Sequence, residues 1–193
     1  MSADELYEAI LAHRQAPQDA RIPTLIWWAQ RFAELGLMPS YGPGDHGNLS
    51  CRTPSGLLIT ARQTAKATIG PEGIVEVFGM EATHDIPRLR CRGLLLPSTD
   101  ALLHFRLYQS RPDIQAVFHG HDPNTLAQAH ELRVPMTETS AVVSSLALIE
   151  EACQLALQTN YVLLRDHGFL ALGRTLDEAG ELARTWCARA RSL

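Results

Sequence analysis

Three histidines lie in two segments where an apolar run ends. His119 and His121 are separated by one glycine after the run 114–118, and His167 follows the run 161–164. Side chains two positions apart on a strand point to the same side, so the first two imidazoles can reach one ion about 2 Å from each ring. A His-x-His pair alone is equally compatible with a strand end that binds nothing. The third histidine predicts three nitrogen ligands and one open position, as in a catalytic zinc site, although imidazole also suits other divalent transition metals.

A second polar segment, residues 97–100, precedes a predicted helix. Ser98, Thr99 and Asp100 stand where free backbone N–H groups and the helix dipole favour an anion, and the two hydroxyls add donors. The same pattern is typical of a helix cap, with a serine or threonine as the capping residue and the aspartate in the first turn. The pattern alone leaves both interpretations open.

Other polar residues are weaker candidates. Asp166 is either a hydrogen-bond partner of the His167 ring or a solvated loop carboxylate. His46 lies in a glycine-rich loop and is a candidate for lining the site. Lys66 is the only lysine, so a Schiff-base mechanism would have no other nucleophile. The remaining histidines are expected to be packed, for His104, or at the surface, for His13, His84 and His130.

Length and composition predict one soluble domain spanning residues 1–193. A formal charge of -4 disfavours a nucleic-acid partner, and 46% hydrophobic residues allow a large core. The four cysteines are scattered and form no CxxC pair, which is typical of reduced core residues. We find no signal peptide and no apolar run long enough to span a bilayer, and therefore expect a cytoplasmic protein without a membrane partner.

The hydrophobic pattern predicts the elements that must position these residues. An early hairpin and several apolar runs indicate an α/β layered domain with a mixed or antiparallel sheet. Thr175 and Glu178 form a candidate capping box at the start of the last helix. The loop 41–47 holds three glycines and a proline. Helices are predicted over residues 3–14, 23–35, 99–110, 124–131, 141–158 and 175–191, and strands over 48–51, 57–60, 74–78, 88–92, 114–118, 161–164 and 169–171.

Five segments together resemble the class II aldolase/adducin family, which includes fuculose-phosphate aldolase and ribulose-phosphate 4-epimerase. They agree with the family in order and spacing over about residues 25–190, and they are 47–50, 56–60, 97–100, 108–121 and 163–168. The resemblance implies an α/β/α sandwich around a mostly antiparallel central sheet. It also implies a homotetramer with active sites between subunits.

The resemblance assigns roles to particular residues. The family's metal ligands fall on His119, His121 and His167, and its acidic residue falls on Asp100, which in the family both touches the metal and moves protons. That acid is usually glutamate in the aldolases and aspartate in the epimerases. The residues that bind the substrate's phosphate in the family fall on Asn48, Ser98 and Thr99.

The chain also departs from the family pattern. Arg62 and Gln63 stand where the family usually has a small residue and a glycine that cradle the phosphate. Because arginine pairs with phosphate or carboxylate in a fork geometry, Arg62 is a candidate for binding the substrate's anionic end. The segment between His130 and Ala147 is shorter than in the sugar-phosphate aldolases, and the chain ends soon after its last helix. In the family the first of these segments holds a tyrosine or aspartate that a neighbouring subunit lends to the chemistry, and a C-terminal tail supplies another tyrosine. The family's proton donor therefore has no clear counterpart here.

These observations leave several functions open. The first is a metal-dependent lyase, an aldolase that cleaves a small ketose or sugar phosphate through a metal-stabilised enediolate, with Asp100 moving the proton. The alternatives on the same site are epimerisation, dehydration or decarboxylation of a related sugar acid. A non-catalytic interaction module, as in the adducin branch, would have no use for a triad of metal ligands, and a Lys66 Schiff-base aldolase would need no metal.

Overall fold

The computed structural model describes residues 6–82, 86–140 and 145–193. Its main feature is an eight-stranded sheet with helices on both faces. The strands are β1 (Glu8–His13), β2 (Ser40–Tyr41), β3 (Gly44–Asp45), β4 (Asn48–Thr53), β5 (Gly56–Thr60), β6 (Ile74–Glu81), β7 (Arg88–Arg92), β8 (Ala116–Gly120), β9 (Tyr161–Leu164) and β10 (Gly168–Gly173). The helices are α1 (Ile22–Glu34), α2 (Ala101–Ser110), α3 (Pro123–Ala127), α4 (Ala129–Leu132), α5 (Leu146–Ala156) and α6 (Leu176–Arg191), with short 3-10 turns at Lys66–Thr68 and Pro71–Gly73.

The sheet is mostly antiparallel, as the resemblance implied. Its order is β1-β7-β6-β5-β4-β8-β10-β9, and the two small strands β2 and β3 form a separate hairpin. Neighbouring strands run antiparallel in every case except β1 and β7, which are parallel. The fold is therefore a single α/β domain with a central, nearly antiparallel sheet.

Alternating side chains of the strands fill two cores. Phe118 of β8 faces the core beneath α1 and α6, where it packs against Trp28 and Phe32. Its neighbour Val117 faces the opposite core, beneath α2 and α5. The four cysteines are buried and unpaired, which confirms the prediction that they are core residues. Among the described residues, no helix is long and apolar enough to span a membrane.

The predicted N-terminal helix over residues 3–14 is wrong. Residues 1–5 lie outside the described part of the chain, and Glu8–His13 form the edge strand β1. Backbone pairing with β7 and the buried side chain of Tyr7 determine this segment. The Tyr7 hydroxyl donates a hydrogen bond of 2.5 Å to the carbonyl of Ser98. Tertiary contacts therefore override the helical spacing of the apolar residues.

The other element predictions are confirmed, with shifted ends. The predicted helix over 124–131 is divided into α3 and α4, and the loop 41–47 contains the β2–β3 hairpin. Residues 141–144 of the predicted helix 141–158 lie outside the described residues. Thr175 accepts a hydrogen bond from the Glu178 backbone, whereas the Glu178 carboxylate accepts from Arg174 instead of Thr175. The predicted capping box is thus half formed.

Candidate metal centre

The three predicted histidines converge at one end of the sheet. His119 is on β8, His121 follows that strand, and His167 lies in the turn between β9 and β10. Their potential ligand nitrogens all lie within 4.8 Å of one another. The Nε2 atoms of His119 and His167 are 3.1 Å apart, and the centroid of the His121 ring is 4.6 Å from that of His167. The predicted convergence of the three histidines is therefore observed, and their role as metal ligands stays a prediction.

Strand pairing explains why two distant segments meet here. β10 lies antiparallel to β8, with Phe169 opposite Gly120, so the turn that carries His167 lies beside the end of β8. A Cβ on Gly168 would fall 2.2 Å from the Gly120 carbonyl oxygen. A Cβ on Gly120 would fall 2.6 Å from the ring of Phe169. The two glycines therefore allow an approach that no other residue type permits.

The protonation of the rings suits a metal ion. The Nδ1 atom of His119 is 2.9 Å from the Phe169 carbonyl oxygen, which can only accept, so this ring carries its proton on Nδ1 and leaves the Nε2 lone pair free. The Nε2 atom of His121 is buried and has no hydrogen-bond partner among the described residues. Burial lowers the pKa of His121 to about 2, helped by the neighbouring rings, and lowers the pKa of His119 well below its usual value. Neutral imidazole is the form that binds divalent transition metals, so the donor set fits such an ion.

Asp100 lies in the same cleft as the histidines. Its Oδ2 atom accepts a hydrogen bond of 2.7 Å from the Nδ2 of Asn48. Asp100 is the N-cap residue of α2, yet its side chain makes no capping bond and is available to the cleft. The Asp100 carboxylate is not among the potential ligand atoms that lie within 4.8 Å of one another, which belong to the three histidines. Its role as a metal ligand therefore stays a prediction.

The capping interpretation of the segment before α2 is wrong, because the N-cap residue is Asp100, not Ser98 or Thr99, and it makes no side-chain capping bond. The Ser98 hydroxyl accepts a 3.3 Å hydrogen bond from the Asp100 backbone and so stabilises the turn at the start of the helix. Ser98 and Thr99 also line the cleft that contains the histidines. The Oδ1 atom of Asn48 is buried and has no partner among the described residues, which leaves one acceptor next to Asp100.

The cleft has a volume of about 440 Å³ and is rich in polar side chains. Arg62 lines it, and its Nε donates a hydrogen bond of 3.0 Å to the Pro97 carbonyl. The next residue, Gln63, has a φ of 55°, a left-handed conformation that glycine adopts more easily. The resemblance places a glycine of the family at this position, and the left-handed backbone is one that a glycine would favour.

Three further residues line the cleft. Lys66 is 1% exposed, and its Nζ donates to the carbonyl and the hydroxyl of Thr64, each at 3.0 Å. Burial lowers the pKa of Lys66 to about 8, an effect that nearby Asp45 partly offsets. The rings of His46 and Tyr41 lie 4.3 Å apart, and His46 is 5.0 Å from the His121 ring. His46 was a weaker candidate from the sequence, whereas no local signal indicated that Tyr41 and Lys66 line this cleft.

The remaining polar candidates lie outside the cleft. Asp166 is exposed and accepts a hydrogen bond of 2.8 Å from Ser140, so it is a loop carboxylate with no bond to the His167 ring. His104 is fully buried behind the site, where its Nδ1 lies 2.7 Å from the Ser50 hydroxyl, and burial lowers its pKa to about 4. His13 and His130 are at the surface, as predicted, and His84 lies outside the described residues.

Comparison with known proteins identifies the family. The sequence profile of the class II aldolase and adducin N-terminal domain matches residues 24–191. The chain belongs to this family. Its relatives include the 5-methylthioribulose-1-phosphate/5-deoxyribulose-1-phosphate aldolase of Rhodospirillum rubrum, 30% identical over 183 residues, which are 82% of this chain and 73% of the relative. The methylthioribulose-1-phosphate dehydratase of Pseudoalteromonas translucida is 26% identical over 163 residues, or 70% of this chain and 74% of the relative.

Solved structures of the family share the fold. The crystal structure of L-fuculose-1-phosphate aldolase from Thermus thermophilus superposes with a TM-score of 0.68 at 24% identity, covering 89% of this chain and 93% of that one. The class II aldolase fold predicted from the five sequence segments is therefore confirmed. The chain is an enzyme of the aldolase and dehydratase kind found in this superfamily.

Proposed function

We propose that this protein is a metal-dependent lyase that cleaves a small anionic ketose, with a ketose 1-phosphate as the favoured substrate class. The carrying observation is the convergence of His119, His121 and His167 beside a polar cleft that also contains Asp100. Both named relatives act on a ribulose 1-phosphate derivative, which supports a substrate of this size and charge.

The three histidines would hold one divalent ion, with zinc as the favoured metal. Such an ion supplies Lewis-acid chemistry at a carbonyl group. Of the three rings, His119 is buried and the other two are partly buried. An interaction module of the adducin type would gain nothing from this convergence of three imidazole rings.

Asp100 is the proposed proton-transfer residue. Its carboxylate makes no capping hydrogen bond to α2. The hydrogen bond from Asn48 orients one carboxylate oxygen and leaves the other available. A carboxylate within hydrogen-bond reach of a substrate hydroxyl can take up and return its proton. Among the described residues of the cleft, Tyr41 and His46 are further groups able to hold a proton, on the side of His121.

The anionic end of the substrate is proposed to bind near Arg62. Its Nε is held by the Pro97 carbonyl, which fixes the guanidinium at the cleft wall. Neutral donors come from the hydroxyl groups of Ser98 and Thr99 and from the amide of Asn48. The buried Lys66 adds a second cation. Arginine binds phosphate and carboxylate in the same fork geometry, so a sugar acid remains compatible with this end of the site.

Dehydration is the second candidate reaction, because one relative is a dehydratase on the same kind of substrate. It would use the same residues but break a carbon–oxygen bond. Epimerisation and decarboxylation of a sugar acid are further variants on the same site. A homotetrameric assembly and a cytoplasmic location also belong to the proposal.

The test is to incubate the purified protein with ketopentose 1-phosphates and follow the products by mass spectrometry. Aldol cleavage yields a three-carbon phosphate and an aldehyde, whereas dehydration yields one product lighter by one water. We expect cleavage that a chelator abolishes and that added Zn²⁺, Co²⁺ or Mn²⁺ restores. Activity that survives complete removal of metal would overturn the proposal.

A further inference from the structure

The N-terminal segment contacts the wall of the cleft, although it precedes the region that the family profile matches, residues 24–191. Its strand β1 pairs with β7, and Glu8 forms an ion pair of 2.7 Å with Arg88 of that strand. One residue before β1, the side chain of Tyr7 is 2% exposed. Its hydroxyl reaches Ser98, one of the residues that line the cleft. A segment outside the matched region therefore contributes to the proposed anion-binding end of the site.

The Tyr7 hydroxyl and the Arg62 side chain bind neighbouring carbonyl groups of one turn. The hydroxyl donates a hydrogen bond of 2.5 Å to the Ser98 carbonyl and lies 3.5 Å from the Pro97 carbonyl oxygen. The Nε of Arg62 donates to the same Pro97 carbonyl at 3.0 Å. The turn at residues 97–98 therefore fixes the positions of the two side chains relative to each other.

Packing alone does not explain a tyrosine at position 7. Its ring belongs to the core beneath α2 and α5, together with aliphatic side chains such as Leu57 and Leu89. Phenylalanine would place the same ring there. Burying the hydroxyl costs free energy that only its hydrogen bonds offset. The hydroxyl therefore has a role at the turn that the ring does not supply.

The direction of these hydrogen bonds turns the phenol oxygen toward Arg62. Burial raises the pKa of Tyr7 above its usual value, and the neighbouring guanidinium of Arg62 offsets part of this rise. The hydroxyl therefore keeps its proton at neutral pH and donates it to the Ser98 carbonyl. Its lone pairs face the Arg62 side chain, which carries only donors. Tyr7 thus fixes the direction of the guanidinium without neutralising its charge.

We propose that Tyr7 is a positioning residue of the anionic end, and that its hydroxyl holds Arg62 and the turn 97–98 in the arrangement that receives the substrate's anion. The inference rests on the proposed function and deepens it by adding a residue of the N-terminal segment to the anion site. Arg62 touches the anion, and Tyr7 acts through Arg62. Without the hydroxyl, the guanidinium keeps its charge but loses one of the groups that orient it, so ordering it on binding costs more.

A double-mutant cycle with inorganic phosphate as the probe tests this coupling. Phosphate affinity is measured by NMR titration for the zinc-loaded wild type, Tyr7→Phe, Arg62→Gln and the double variant. We expect binding to be about five- to tenfold weaker in Tyr7→Phe, which corresponds to one buried hydrogen bond. In the Arg62→Gln background, Tyr7→Phe should cause no further loss.

Tyr161→Phe is the matched control for the loss of the hydroxyl. Tyr161 is also buried, and its hydroxyl has no hydrogen-bond partner among the described residues. This variant should bind phosphate as tightly as the wild type. A loss in Tyr161→Phe equal to that in Tyr7→Phe would contradict the proposal, because removing any buried hydroxyl would then have the same effect.

The cycle separates failure of this inference from failure of the proposed function, since no outcome depends on bond cleavage. Weaker binding in Arg62→Gln with wild-type affinity in Tyr7→Phe overturns the inference and leaves the anion site at Arg62 in place. An equal effect of Tyr7→Phe in both Arg62 backgrounds also overturns it, because the hydroxyl would then act through the fold alone. Wild-type affinity in Arg62→Gln overturns the anion site and the inference together.

A measurement on the wild type keeps the inference testable if Tyr7→Phe does not fold. The four tyrosines are isotope-labelled at Cζ, and their NMR signals are followed while inorganic phosphate is added to the zinc-loaded protein. We expect a saturable shift of the Tyr7 signal, because the guanidinium beside its oxygen engages the anion, and no shift of the Tyr161 signal. A Tyr7 signal that does not move at saturating phosphate overturns the inference.

Discussion

Gly168 lies against Gly120 so closely that a Cβ on Gly168 would fall 2.2 Å from the Gly120 carbonyl oxygen. The same Cβ would fall 3.2 Å from the Cε1 atom of the His119 ring. All three proposed metal ligands are adjacent in sequence to one of these glycines: His119 and His121 flank Gly120, and His167 precedes Gly168. The contact between the two backbones therefore sets the distance between the ligands.

Gly168→Ala should separate the two segments and weaken metal binding. Accommodating the methyl group forces a backbone shift, at a cost of about 1–3 kcal/mol of folding free energy. Gly42→Ala is the matched control, since a Cβ there would have no neighbour within 4 Å. Thermal unfolding and zinc titration of both variants test this. Wild-type zinc affinity in Gly168→Ala would show that the contact does not set the ligand geometry.

Asp100→Asn should remove proton transfer while leaving the fold and the histidines in place. We expect kcat to fall by about 10²–10⁴. Asp166→Asn is the control, because Asp166 is exposed and has a φ of 62°, a conformation that asparagine also tolerates. Steady-state kinetics decide the question. A kcat in Asp100→Asn within a factor of two of the wild type would exclude Asp100 from the chemistry.

The metal-free protein should lose stability as the pH falls below about 6.5. Burial lowers the pKa of His104 to about 4 and that of His121 to about 2, and the pKa of His119 falls in the same direction. Between those values and the ordinary histidine pKa, the unfolded chain binds more protons than the folded one. Stability is therefore complete above pH 6.5 and declines below it, by up to about 1.4 kcal/mol per pH unit for each such ring.

Urea unfolding at pH 7 and pH 5, with and without zinc, measures this dependence. His130→Gln, at an exposed position, should leave it unchanged. Because bound metal requires neutral rings, the zinc-loaded protein should show a larger difference in stability between the two pH values. Equal stability of the metal-free protein at pH 7 and pH 5 would contradict the buried, neutral state of these rings.

Lys66→Met should weaken binding of an anionic substrate without abolishing turnover. Lys66 lines the cleft but its Nζ already donates twice to Thr64, which favours an electrostatic role over a nucleophilic one. We expect KM to rise roughly tenfold, about 1.4 kcal/mol of binding, with kcat within a factor of two or so. Arg31→Met, which removes an exposed cation on α1, is the control.

Borohydride reduction in the presence of substrate completes the Lys66 test. A Schiff base would be trapped as a covalent adduct on this single lysine. We expect no adduct. A trapped adduct together with loss of kcat in Lys66→Met would replace the metal-dependent mechanism by a lysine-dependent one.

The sequence allowed the convergence of the three histidines to be predicted, because each histidine follows an apolar strand within a short segment. The period of a strand places His119 and His121 on one side, and a second strand–turn segment repeats the pattern at His167. The family resemblance then added Asp100 and Asn48, which the structure joins by a hydrogen bond of 2.7 Å. Most helices and strands were also predicted correctly, because the spacing of apolar residues along each segment determines how that segment packs.

Residues whose environment depends on distant segments could not be predicted. The N-terminal segment has helical spacing, yet pairing with β7 makes it a strand, and Leu6 then contributes to a pocket formed mainly by α2, α5 and β9. Lys66 is buried because segments distant in sequence enclose it. Neither the strand conformation of the N-terminal segment nor the burial of Lys66 can be recognised from a short stretch of the sequence.

The most direct test of the account is a metal titration of the purified, chelator-treated protein. Zinc binding is measured by calorimetry and by elemental analysis after dialysis, for the wild type and for His121→Asn, His167→Asn and the exposed-site control His130→Asn. We expect one ion per chain in the wild type and the control, and a loss of affinity of at least about a hundredfold in the two site variants. A wild-type protein that retains no stoichiometric ion, or site variants that bind as tightly as the control, would contradict it.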